Sequence, residues 1–291
     1  MNTRKLAKSF RIEKGNHFRL KDFDPADTGQ WHSKEHAQEA LAADVASMAA
    51  LQDKLYAQDQ WALLLIFQAM DAAGKDGAIK HVMSGVNPQG CQVYSYKTPS
   101  AIELQHDFLW RTTRDLPERG HIGIFNRSYY EEVLVVRVHP EILKNEHNPP
   151  KLLGKNLWQE RFEDISCFER HMARQGTVVR KFFLYISKKE QKRRFLARLD
   201  QPEKNWKFSA DDIHERGYWN AYQEAYEEMI RGTASEAAPW YVVPADNKWF
   251  TRLVVSAAIV ETLEGLNLSY PTVTGARRKE LAAARKLLSK K

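Results

Sequence analysis

Asp71, Gly74 and Lys75 lie in the stretch WALLLIFQAMDAAGKDGAIKH, residues 61 to 81, where an apolar run breaks into a small-residue turn and resumes with helical spacing. Ile79, Val82, Met83 and Val86 recur at i, i+3, i+4 and i+7, one face of a helix expected over residues 75 to 86. Such a helix aims its unpaired N–H groups and the positive end of its dipole at the turn, which suits a phosphate. The stretch departs from the usual phosphate loop, G-x-x-x-x-G-K-[ST], at two places. Ala69 stands where the first Gly belongs, and Asp76 where a hydroxyl would meet Mg²⁺. An ordinary strand-to-helix turn is the competing reading of the same residues.

A second segment, His121-Ile122-Gly123-Ile124-Phe125-Asn126-Arg127-Ser128, reads as a short strand leading to the position where phosphoryl-transfer proteins present a carboxylate to Mg²⁺. Here that position is Asn126, whose amide oxygen can accept but carries no charge. A metal held at Asp71 and Asn126 would therefore draw its charge balance mainly from Asp71 and from phosphate, which Mg²⁺ tolerates. An Asn capping a helix is the bland alternative. Arg127 adds a planar fork that matches phosphate oxygens.

Strands must place these two segments on one rim. Continuously apolar or β-rich runs predict strands over 61–68, 91–96, 121–125, 178–186 and 240–243, separated by helices over 34–58, 75–86, 100–116, 151–174, 187–231 with a break at Pro202, and 248–266. In the first of these helices Leu41, Val45, Met48, Leu51 and Leu55 form one stripe. Alternation of this kind predicts an α/β fold, a five-stranded parallel sheet between two helical layers, with ligands beyond the carboxyl ends of the strands. Residues 1–33 read as an N-terminal extension, 34–266 as the domain with a helical lid at about 187–233, and 267–291 as a basic tail.

The chain has 291 residues, 43% of them hydrophobic, and a net charge of +7. No apolar run reaches membrane-spanning length and the N-terminus lacks a signal-peptide core, so a cytoplasmic protein without a membrane partner is expected. Cys91 and Cys167 have no metal-ligand spacing. Basic residues concentrate in three stretches: residues 1–21, residues 277–291, and the internal run 188–207, with eight Lys/Arg against Glu190, Asp200 and Glu203. Terminal charge runs are ordinarily solvated. The internal run follows a buried strand, where an anionic ligand would have to pass it. On its helix Arg193, Arg194 and Arg198 are expected to face the cleft, with Phe195, Leu196 and Leu199 docking the helix.

Phe67 to Gly77, Phe125 to Glu131, and the basic helix Lys188 to Arg198 with Trp206-Lys207 and Ser209-Ala210-Asp211 resemble the second family of polyphosphate kinases. The resemblance runs over about residues 30 to 266. It implies a P-loop kinase fold with a helical lid and reversible, Mg²⁺-dependent transfer of a terminal phosphoryl group between inorganic polyphosphate and a nucleoside phosphate. It further implies catalytic roles for Asp71, Lys75 and Arg127. The implied phosphate cradle is Ala72, Ala73, Gly74, Lys75, Asp76 and Gly77 with Arg127, and Arg193, Arg194 and Arg198 would grip the chain from the lid. Family members mostly have Asp where this chain has Asn126 and commonly Gly where it has Asp76. Asn126 with Tyr129 to Leu134 is similar to the class III subgroup, which accepts both AMP and ADP, and the resemblance suggests a homodimer or homotetramer.

For the nucleotide, Lys97, Arg111, Asn126 and Arg137 are the candidates, with His106, Phe108 and Trp110 as aromatic neighbours. No nucleic-acid partner is expected. Two other readings fit the residues: an ATP-dependent nucleoside monophosphate kinase, and a non-catalytic polyanion-binding protein.

Overall fold

The computed structural model describes residues 3–289; the ends of the N-terminal extension and of the basic tail, residues 1, 2, 290 and 291, lie outside the described residues. In chain order the helices and strands are α1 (Thr3–Lys8), β1 (Arg11–Ile12), α2 (Lys34–Gln58), β2 (Ala62–Gln68), α3 (Lys75–Val82), β3 (Cys91–Ser95), α4 (Trp110–Thr113), β4 (Ile122–Asn126), α5 (Glu131–Val138), α6 (Leu157–Arg174), β5 (Thr177–Tyr185), α7 (Lys188–Asp200), α8 (Asp211–Gly217), α9 (Trp219–Thr233), β6 (Trp240–Pro244), α10 (Lys248–Gly265) and α11 (Gly275–Leu288).

The sheet order is β1-β6-β5-β2-β4-β3. Five strands run parallel, as the alternating pattern predicts. The sixth, β1, is a correction to the predicted count: two residues pair antiparallel with β6, Arg11 opposite Tyr241. Two residues are too few to leave a periodic trace. Every residue of β2 is buried, because helices cover both faces. On one side α10 packs against α1, α2 and α3, and on the other α5, α6 and α9 pack together. Phe67, Phe182 and Tyr241 stack in register across β2, β5 and β6, with centroids 5.0 and 5.3 Å apart.

Three segments differ from the pattern-based expectation. The helix expected over 100–116 is reduced to a 3₁₀ turn at Glu103–Gln105 and the single turn of α4. Asp107 is the reason: its carboxylate accepts from the Leu109 amide at 3.0 Å, giving the backbone a turn in place of the helix ladder. Second, Glu131–Val138 is a helix that the sequence reading leaves unassigned. Third, the N-terminal segment is no loose appendage, since Ala7, Phe10, Phe18, Leu20 and Trp31 join the core. In the tail Leu268 still reaches the core, whereas α11 beyond it has every residue exposed.

Candidate active site

The turn between β2 and α3 and the tip of β4 share one rim because β2 and β4 are paired neighbours, Phe67 opposite Asn126. The Arg127 amide donates to the Phe67 carbonyl at 3.0 Å, extending that pairing one residue into the site. Two residues of the β2–α3 turn are left-handed, Ala72 at φ 61° and Gly74 at φ 108°, and so is Arg127 at φ 65°. For Ala72 and Arg127 this conformation is strained and needs surrounding contacts to hold it.

Those contacts are side-chain donors to the turn's carbonyls. Lys75 Nζ donates to the Ala69 carbonyl at 2.9 Å, Gln191 Nε2 to that of Asp71 at 3.0 Å, and Arg194 to those of Ala72 and Ala73 at 3.0 and 2.6 Å. A trans peptide sets each N–H opposite its C=O, so fixing these carbonyls also fixes the amides that form an anion cradle. Arg194 reaches further, to the carbonyls of Ala245 and Asp246, and pairs with Glu190 at 2.7 Å. Direct phosphate contact by Arg194 would require some of these bonds to be released.

Arg127 donates to Asp71 at 2.8 Å and to Glu131 at 3.1 Å, and Glu131 is itself held by Gln68 at 2.7 Å. The charges of Glu131 and then Asp71 push the Arg127 pKa up, so the guanidinium stays charged. Lys75 is the opposite case: burial, reinforced by the nearby Arg127 charge, pulls its ammonium down to about 8. Asn126 Nδ2 donates to Asp76 Oδ1 at 2.8 Å, so the uncharged strand tip and the acidic loop position face each other.

These groups open into a cavity of about 980 Å³. Asp71 to Gly77, Asn126, Arg127, Lys97 and the α7 residues Arg193, Arg194 and Arg198 all line it, so most of the residues selected from sequence share one chamber. Arg193 is 70% exposed and Arg194 7%, one turning outward and the next inward; Arg198 pairs with Asp212 at 3.3 Å. Leu196 and Leu199, expected to dock the helix, are each 48% exposed instead, because only Phe195 lies on the packed face.

Four further cations line the chamber without having been selected as site residues: Lys204, Lys207, Lys248 and Arg252. Lys248 opens α10, whose first turn has no acidic residue and where positive charge opposes the helix dipole, and Arg252 follows one turn later. That opposition was the available signal. In all, ten Lys/Arg face two carboxylates, Asp71 and Asp76.

Arg111 and Arg137 are not among the residues lining this chamber. Arg111 donates to the Lys97 carbonyl at 2.8 Å and borders a separate cavity of about 250 Å³ with Phe108, Glu132 and Arg161. Arg137 pairs with Glu228 and lies 5.9 Å from the Trp158 ring centre. His106 stacks on Trp110 with centroids 3.8 Å apart. Among the described residues no cluster of three His, Cys, Asp or Glu side chains forms a self-sufficient metal cage, no helix is long and apolar enough to cross a membrane, and both cysteines are free.

Comparison with known proteins bears on this chamber. The family model described as polyphosphate kinase 2 matches residues 31–270. A protein of Rhodopseudomonas palustris named ADP-polyphosphate phosphotransferase is 57% identical over 286 residues, 95% of this chain and 99% of that protein. One of Meiothermus ruber, named AMP/ADP-polyphosphate phosphotransferase, is 48% identical over 265 residues, 91% of this chain and 95% of its own length. The crystal structure of polyphosphate kinase 2 from Arthrobacter aurescens superposes with a TM-score of 0.86 at 39% identity, covering 96% of each chain. With the family model matching residues 31–270 and these relatives across nearly its whole length, the chain belongs to the polyphosphate kinase 2 family.

Proposed function

We propose that this chain is a polyphosphate-dependent nucleotide phosphotransferase that moves the terminal phosphoryl group of inorganic polyphosphate reversibly to ADP and to AMP, giving ATP and ADP. The observation that carries the reading is the chamber's excess of cations: ten Lys/Arg against two carboxylates, extending from the β2–α3 turn to the lid and the start of α10. A nucleotide's phosphates alone do not call for so many, whereas a polyanionic chain does. The printed names of the two relatives above support ADP, and in one case AMP, as acceptor.

Phosphoryl transfer needs alignment and charge neutralisation more than covalent work. In this reading a phosphate oxygen of the nucleotide attacks the terminal phosphorus in line, and the shortened polyphosphate leaves. Lys75 and the turn amides hold the transferring group's oxygens, Arg127 neutralises them from the β4 side, and Asp71 keeps the Arg127 fork in place. Arg193 and Arg198, with Lys204, Lys207, Lys248 and Arg252, hold the chain beyond the reacting phosphate. Lys97 and Asn126 are the acceptor-side residues within the chamber.

The oxygen donors of Asp71, Asp76 and Asn126 suit Mg²⁺ shared with phosphate rather than caged by protein alone. When bound there it would supply charge neutralisation between donor and acceptor phosphates. The free cysteines suit a reducing cytoplasm, and a homodimer or homotetramer is the expected assembly. The test is purified protein with Mg²⁺ and long-chain polyphosphate plus ADP or AMP. New ATP and ADP, absent without polyphosphate, are the expected products; transfer to AMP from ATP but never from polyphosphate would overturn the reading.

A further inference from the structure

Behind the Arg127 turn sits a charged cluster, none of whose members lines the chamber. Lys181 on β5 is 0% exposed and Glu169 on α6 is 1% exposed, with Nζ and Oε2 2.6 Å apart. Lys181 uses its other two donors on the Tyr130 hydroxyl at 2.9 Å and the Thr233 carbonyl at 2.8 Å. The hydroxyls of Tyr129 and Tyr130 both donate to Glu169 Oε1, at 2.9 and 2.8 Å. All three ammonium donors are therefore satisfied, and both carboxylate oxygens are engaged.

A buried ion pair is a poor way to gain stability, since apolar residues of the same volume often do as well or better. What it gives is directional bonding, and the direction here is informative. Tyr129 and Tyr130 lie two and three residues beyond Arg127, in the turn whose left-handed start must be held against strain. Ser128, between them, is buried as well, and its hydroxyl accepts from the Tyr130 amide at 3.1 Å. Thr233 closes α9, the last lid helix, so one ammonium touches both the lid's far anchor and the Arg127 turn.

We propose that Glu169 and Lys181, acting through Tyr129 and Tyr130, are positioning residues that hold Arg127 in register with the reacting phosphate. This rests on the assignment of Arg127 to that phosphate. Displacements of about an ångström at a reacting centre lower turnover by up to about a hundredfold, so loss of one hydroxyl should register in kcat.

The experiment is a double-mutant cycle between Tyr130→Phe and Arg127→Ala, with Tyr129→Phe as the second probe of the same carboxylate. Tyr130→Phe should lower kcat with polyphosphate roughly tenfold, leave both KM values within about twofold, and leave the enzyme folded. In the Arg127→Ala background the same change should have less than about a twofold further effect, because the residue it positions is gone. Equal losses in both backgrounds, or unchanged kcat in Tyr130→Phe and Tyr129→Phe alike, would overturn the positioning role. Wild-type turnover by Arg127→Ala alone would instead remove Arg127 from the reaction, a distinct result that refutes the premise as well. Glu169→Gln combined with Lys181→Met, which removes both buried charges together, should reproduce the kcat loss.

Discussion

Asn126 Nδ2 donates to Asp76 Oδ1 at 2.8 Å across the gap between the tip of β4 and the first turn of α3. The usual pattern has a carboxylate at the strand tip and none opposite; this chain has exchanged the two. Asn126→Asp would set two carboxylates at hydrogen-bonding distance, raising the pKa of one and pushing the turn apart. Turnover should fall about tenfold, with the ratio of AMP to ADP activity altered, and Asp76→Gly added to Asn126→Asp should restore most of it. Initial rates with each acceptor for wild type and the two variants check this.

Lys75 gives a pH signature. Its folded pKa of about 8 lies below the ordinary 10.5, so its charge is lost as pH rises through about 8. kcat/KM for polyphosphate should decline above about pH 8 in the free enzyme, and Lys75→Arg should remove that limb, since guanidinium does not titrate there. The stability consequence has the opposite sense. The unfolded chain binds the proton more readily between about 8 and 10.5, so this lysine makes the fold more stable as pH rises through that window. Thermal melts of wild type and Lys75→Met across it should converge as the charge disappears.

Arg194 and Gln191 hold the β2–α3 turn by its carbonyls. Arg194→Met leaves several buried carbonyls without a donor and should destabilise the protein by about 1–3 kcal/mol while raising KM for polyphosphate several-fold. Gln191→Leu should do the same to a smaller extent, because it frees one carbonyl of the turn. Denaturant melts together with steady-state kinetics separate the two effects.

Lys248 and Arg252 make a chain-length prediction. Both line the chamber from α10, the helix that follows β6, and β5 and β2 separate β6 from β4 in the sheet; in the proposed reading they meet phosphates distal to the reacting one. Replacing both with Ala should raise KM for long polyphosphate about tenfold and that for triphosphate less than about twofold. Kinetics with donors of defined length give the answer.

What could be read from sequence was what is local in sequence. The β2–α3 turn and the Asn126-Arg127 tip each announce themselves within a dozen residues, and the parallel sheet follows from strand–helix alternation. The pairing of Asp76 with Asn126 depends on the register of β2 against β4 and could not be seen from residues 50 apart. Arg193 and Arg194 are adjacent and chemically identical, yet one side chain is exposed and the other is buried under the turn; only the packed position of Phe195 decides which. Helix α5 shows no helical period because its apolar residues, Val133 to Val136, are consecutive and mostly β-branched, and Lys248 and Arg252 enter the site from an element far along the chain.

The central claim is that Lys75, Asp71 and Arg127 act together on a phosphoryl group donated by polyphosphate. Its most direct test is ADP formation from AMP, with long-chain polyphosphate as sole donor, by wild type, Asp71→Asn and Arg127→Ala at equal concentration. Rapid formation by wild type and a loss of at least about a hundredfold in each variant, with polyphosphate still bound, is the result expected. Undiminished formation by either variant, or none by the wild-type protein, would contradict it.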